Sequence, residues 1–208
     1  MKSLFLMACL VTPLLAADWR LVWSDEFDGQ GRPDAAKWSY ETGFVRNREA
    51  QYYTRARPEN ARIEVRAKLP TGRGTWPAIW LLGANHRTAG WPRCGEIDVM
   101  ENVGFDPDII HAKKTGKGDI AVPRPYDDFH VYAVEWSAGR MDFSVDGKRY
   151  FSYENEKSGE DAWPYDQPFY LILNIAIGGA WGGQKGVDDA IFPQRTEVDY
   201  VRVYRKAE

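Results

Sequence analysis

The chain has 208 residues, of which 44% are hydrophobic and 27% charged, and its formal net charge is −3 at pH 7. That is the composition of one globular domain. No block of like charge runs long enough to make a basic stripe, so no nucleic-acid partner is expected, and a mildly acidic surface argues against an anionic polymer.

Residues 1–17 read as a signal peptide: Lys2 supplies the positive start, Ser3 to Leu15 the apolar run, and Ala16–Ala17 the small-residue cleavage zone. The run is too short to span a bilayer, so no membrane association is expected and export is. Residues 18–208 then form a single domain. Cys94 is the one cysteine left after the leader, which excludes an internal disulfide. His86, His111 and His130 are scattered and show no zinc spacing. The domain is expected to be a monomer held by its own core.

In chain order, the predicted elements are strands. Ile63, Val65, Ala67 and Leu69 alternate with Glu64, Arg66 and Lys68, the period-two mark of a half-buried strand. Val131 to Trp136 is a second apolar run. Met141, Phe143 and Val145 alternate up to Asp146-Gly147, a favoured two-residue hairpin turn, and Lys148 to Tyr153 returns. Phe169 to Ile177 is nearly all apolar, as in a central strand covered on both faces, and Glu197 to Tyr204 gives a last strand with Val201 and Val203 on one side. Clusters such as Asp28-Gly29-Gln30-Gly31 and Gly178-Gly179 punctuate these runs. Many short strands with glycine turns predict an all-β fold, an antiparallel β-sandwich of the jelly-roll, concanavalin-like kind.

The chemistry concentrates in Gly95-Glu96-Ile97-Asp98-Val99-Met100-Glu101-Asn102. Strand alternation puts Glu96 and Asp98 on one face and Ile97 and Val99 on the other. One extra residue, a β-bulge between Asp98 and Glu101, would return Glu101 to the acid face. Three crowded carboxylates repel, so one must take up a proton or find a cation. Retaining glycoside hydrolysis uses such a pair, one nucleophile and one proton donor about 5–5.5 Å apart. Taken alone, the segment also fits a solvated strand face or a metal site.

Glu96-Ile97-Asp98-Val99-Met100-Glu101 resembles the signature of glycoside hydrolase family 16, in the bulged form of its laminarinase type. Val22 to Gly29, Asn47 to Thr54, Arg62 to Leu82, Asn174 to Gln184 and Val198 to Tyr204 resemble further family segments, in family order. The resemblance implies a sandwich with a concave substrate cleft and an endo-acting, retaining glucanase for β-1,3 or mixed β-1,3/1,4 chains. Glu96 would be the nucleophile, Glu101 the acid/base and Asp98 the assisting carboxylate. Trp91 resembles a sugar-stacking wall, and Asn47, Trp76, His111 and Trp181 resemble cleft residues, with plain packing as the alternative for these four. The chemistry would need no cofactor. A structural calcium is implied on the convex side, with Glu26 and Asp199 as ligands, although two side chains are far short of the six to eight oxygens calcium takes.

Two stretches depart from the family pattern. Arg55 to Arg62 runs straight into Ile63 where the family places further strands, and His111-Ala112 goes directly to Lys113-Lys114-Thr115-Gly116. Losing strands exposes sheet edge and core. The alternative function is therefore a non-catalytic or degenerate carbohydrate-binding protein on the same scaffold.

Overall fold

The structure is a computed structural model that describes residues 19–29, 32–41, 51–56, 61–112 and 118–207, with side chains described for these except 40–41 and 51–56. The leader lies outside the described residues, as do residues 57–60 and 113–117 of the two shortened stretches.

Thirteen strands are described: β1 (Trp19–Asp25), β2 (Ser39–Glu41), β3 (Gln51–Ala56), β4 (Ala61–Lys68), β5 (Thr75–Gly83), β6 (Glu96–Val103), β7 (Asp106–His111), β8 (Asp119–Ala121), β9 (His130–Trp136), β10 (Arg140–Val145), β11 (Lys148–Glu154), β12 (Phe169–Ile177) and β13 (Glu197–Lys206). They pair antiparallel into two sheets. The first runs β1-β13-β4-β9-β10-β11 and the second β2-β3-β12-β5-β6-β7-β8. This is the expected β-sandwich. No described helix is long and apolar enough to cross a membrane.

The alternation read from the sequence sets which face each strand buries. In β4, Ala61, Ile63, Val65 and Ala67 are buried while Arg62, Glu64, Arg66 and Lys68 are half-exposed. The outward row is covered by ion pairs, Arg62 with Glu64 and Glu135, and Lys68 with Glu197. The inward row meets Ile79, Leu81, Ile97 and Met100 of the second sheet, together with Val134 and Trp136. Trp136 packs edge-on against Phe169 with ring centroids 5.2 Å apart. At roughly 1.5–3 kcal/mol for each large apolar side chain buried, this interface between the sheets is the main source of stability.

The Asp146-Gly147 hairpin forms as read: both residues have positive φ, 50° and 76°, which a tight two-residue turn requires. Asp146 also ties the turn to β9, accepting hydrogen bonds from the Val131 N–H (2.8 Å) and His130 Nδ1 (2.7 Å). β12 is central, but it is not covered on both faces throughout. Its first four residues are buried, whereas Ile177 at its end is exposed.

β3 and β4 lie in different sheets although only residues 57–60 separate them. Between the sheets a half-open apolar cavity of about 400 Å³ is lined, among the described residues, by Phe27, Trp38, Ile79, Met100, Leu173 and Val198. It is more than twice the roughly 150 Å³ of an engineered apolar cavity that stays dry.

Candidate active site

β6 carries the three acids, and its pairing with β5 settles their faces. Leu82 lies opposite Glu96, Trp80 opposite Asp98 and Ala78 opposite Glu101. Directly opposed residues of antiparallel strands share a face. Ala78, Trp80 and Leu82 form one cluster, and the intervening Ile79 and Leu81 belong to the core between the sheets. The register shifts between Ile79 and Trp80, so Met100 opposes Ile79 and Val99 is the additional residue of a bulge. Val99 and Met100 are both fully buried in the core, and Glu101 is thereby returned to the face of Glu96 and Asp98. The strand starts from Gly95, at φ 75°, where a Cβ would come within 2.7 Å of the Phe169 ring and the Pro164 carbonyl oxygen. Only glycine fits there.

Glu101 is the most enclosed of the three, with 5% of its surface exposed. The indole of Trp76 donates to its Oε1 at 3.0 Å. Trp76 in turn meets Trp181 edge-on at 5.7 Å, and Trp181 meets His111 at 4.9 Å. The Gly178–Gly183 loop holds this group from above. A Cβ on Gly182 would come within 2.8 Å of Trp76 Cβ, so the loop can approach the indole only without a side chain. His111 sits opposite Glu101 on β7, and its Nδ1 lies 2.8 Å from Asp119 Oδ1 on β8. Burial first, and then the charges of Asp119, Asp98 and Glu101, push the Tyr150 hydroxyl up. Burial and the neighbouring Tyr153, followed by Asp98 and Glu96, do the same for Tyr165. The field of the acid row therefore reaches tyrosines that pack against the core.

Of the residues singled out from the sequence, Glu96, Asp98, Glu101, Trp76, His111 and Trp181 come together around β6. Trp91 stands apart, 71% exposed in the turn that leads into β6. Asn47 lies outside the described residues. Sequence reasoning missed Asp119, whose importance comes only from lying opposite His111. It placed Trp80 in the strand pair leading into the site but gave it no role there, and its indole donates to Asn174 Oδ1 at 2.9 Å; it missed Tyr170, whose hydroxyl is 3.3 Å from His86 Nδ1. Trp80 was legible in principle, because it follows Trp76 by an even number of strand positions and so shares its face.

Glu26 and Asp199, the acids that the family resemblance implies as calcium ligands, are both ion-paired. Both oxygens of Glu26 accept from Arg202, at 2.9 and 2.6 Å, and Asp199 is paired with Arg66. Arg202 also stacks over Tyr200 at 3.7 Å. Guanidinium groups thus supply the positive charge that a cation would bring. Among the described residues no group of three or more His, Cys, Asp or Glu is gathered to hold a metal.

Residues 34–202 match the family model described as glycosyl hydrolases family 16. A beta-glucanase of Rhodothermus marinus is 44% identical, over 93% of this chain and 87% of the relative. That alignment runs over 250 positions, more than the chain possesses, so the relative carries segments with no counterpart here. The X-ray structure of the laminarinase from Rhodothermus marinus has a TM-score of 0.83 at 41% identity, covering 92% of this chain and 100% of that one. The endo-beta-1,3-glucanase from Pyrococcus furiosus has a TM-score of 0.79 at 31% identity, covering 91% and 95%. With sequence and sandwich matching over most of the same stretch, the chain belongs to glycosyl hydrolases family 16.

Proposed function

We propose that the chain is an exported, monomeric, retaining endo-glucanase that cuts β-1,3 or mixed β-1,3/1,4 glucans. The observation that carries this reading is the bulge of β6, which gathers Glu96, Asp98 and Glu101 on one face. The glucanase names of the similar proteins support the substrate class.

In this reading the Glu96 carboxylate attacks the anomeric carbon while protonated Glu101 gives its proton to the leaving glycosidic oxygen. The carbon–oxygen bond breaks and a glycosyl ester forms on Glu96. Water then attacks the same carbon, Glu101 takes its proton, and Glu96 is released as carboxylate. Asp98, on the same face between them, hydrogen-bonds the nucleophile and keeps the pKa values of the pair apart. Exposed Trp91 offers an indole face for a sugar ring at the approach to β6. Trp76, Trp181 and His111 wall the acid end. No metal enters these steps.

The test is digestion of laminarin, lichenan and agarose side by side with products sized, using Glu96→Gln as control. Oligosaccharides from laminarin that vanish with the variant support the reading. Equal activity in both proteins removes Glu96 as nucleophile, and glucan retention without turnover establishes a binding protein instead.

A further inference from the structure

We infer that Asp119 is a positioning residue that, through His111, keeps Glu101 supplied with its proton; this rests on the glucanase reading above. Glu101, His111 and Asp119 occupy opposed register positions on β6, β7 and β8. A carboxylate, an imidazole and a second carboxylate therefore form one row across three neighbouring strands. Side chains at such opposed positions start from Cβ atoms about 4.5–5.5 Å apart.

The row has a direction. An ionised carboxylate only accepts hydrogen bonds, so the 2.8 Å contact requires His111 Nδ1 to carry the hydrogen and Asp119 Oδ1 to receive it. In the neutral ring, Nε2 is then an acceptor. That nitrogen is buried and accepts from no described group. A buried acceptor left unused is costly, and the side chain directly opposite on β6 is the one assigned to carry a proton. No hydrogen bond joins Nε2 to Glu101 in this structure, and protonation of Glu101 would bring a donor to the position directly opposite. Trp181, edge-on at 4.9 Å, limits the ring from turning away.

Two neighbouring groups then act on Glu101 in opposite senses. The Trp76 indole favours its ionised form. The His111 acceptor favours its protonated form, the one needed for the first bond cleavage. Asp119 decides which sign His111 has. Without that carboxylate the imidazole can place its hydrogen on Nε2 and become a second donor to Glu101. Among the described residues, the other charged and titratable groups around this row include Glu96 and Asp98 on β6, with Tyr150 from β11 in the field of Asp119, Asp98 and Glu101.

The experiment compares Asp119→Ala, Asp119→Asn, His111→Ala and the Asp119→Ala/His111→Ala double variant. Its readouts are the pH profile of kcat/KM on laminarin and the ¹³C carboxyl titration of Glu101 in glutamate-labelled protein. Asp119→Ala is expected to move the alkaline limb and the Glu101 titration to lower pH by about one unit. Asp119→Asn, whose amide oxygen still accepts from Nδ1, restores both toward the unsubstituted protein. The double variant shifts no further than Asp119→Ala does. An unmoved Glu101 titration in Asp119→Ala, or the same shift in Asp119→Asn, overturns the inference. Absent turnover of the unsubstituted protein, with the Glu101 titration shifting as described, removes the glucanase reading and leaves the coupling of the row in place.

Discussion

Replacing Trp76 by Phe tests the proton balance at Glu101 from the other side. The substitution keeps an aromatic ring against Trp181 and removes one atom group, the indole N–H that donates to Glu101 Oε1 at 3.0 Å. A hydrogen bond to a charged group contributes about 1.5–3 kcal/mol. Each pKa unit corresponds to about 1.36 kcal/mol, so complete loss of a bond made only to the carboxylate would raise the pKa by about 1–2 units. The neutral carboxyl keeps a weaker form of the same bond, which brings the expectation to about one unit. The sign follows from which form is stabilised. The indole favours ionised Glu101, its removal favours the protonated acid, and the alkaline limb of kcat/KM, which reports that acid in the free enzyme, moves to higher pH. The assay is initial-rate hydrolysis of laminarin across the whole profile for both proteins. An alkaline limb that stays in place or moves to lower pH would refute the assignment of Glu101 as the acid, even if total activity falls.

Further predictions follow from features outside the acid row. Burial pushes the Asp25 carboxyl up, but hydrogen bonds from the Trp38 indole and the Phe27 N–H, with the Lys37 ammonium beside it, more than offset this and hold it below its ordinary value. Its contribution to stability is therefore present above about pH 4 and lost as pH falls through the lowered folded-state value. Asp25→Asn should flatten that part of the acid-unfolding curve, and an unchanged curve would contradict the linkage. Val198→Ile places one more methylene against the cavity between the sheets and should raise stability by about 0.8 kcal/mol, or Tm by roughly 2–3 °C. A lower Tm would mean that the wall cannot take the added carbon. Because Arg202 and Arg66 already neutralise Glu26 and Asp199, calcium and a chelator should give Tm values within about 1 °C of each other in a thermal melt.

Much of the architecture was legible because alternation is a local property. The row Ile63, Val65, Ala67 declares its buried face without reference to any other strand, and Asp146-Gly147 declares its turn. The bulge was legible for a related reason: three acids at offsets that alternation alone cannot place together point to one inserted residue. Partnership across strands was not legible. Asp119 is an unremarked acid until β8 is laid against β7, and Trp80 gains its role only from Asn174 on β12. The ion pairs of Glu26 and Asp199 were hidden for the same reason. Sequence spacing gives no sign that Arg202 and Arg66 face Glu26 and Asp199.

The bulge in β6 has a consequence for insertions and deletions. Losing a single residue from a strand ordinarily turns everything beyond it inside out. Here, removing Met100 would leave Glu96, Asp98 and the glutamate after Val99 in plain alternation, still facing the same way. Two lengths of this strand can thus present the same three acids, and the difference between them is one side chain in the interior. A lineage could gain or shed that residue without passing through an ancestor whose acids point in opposite directions.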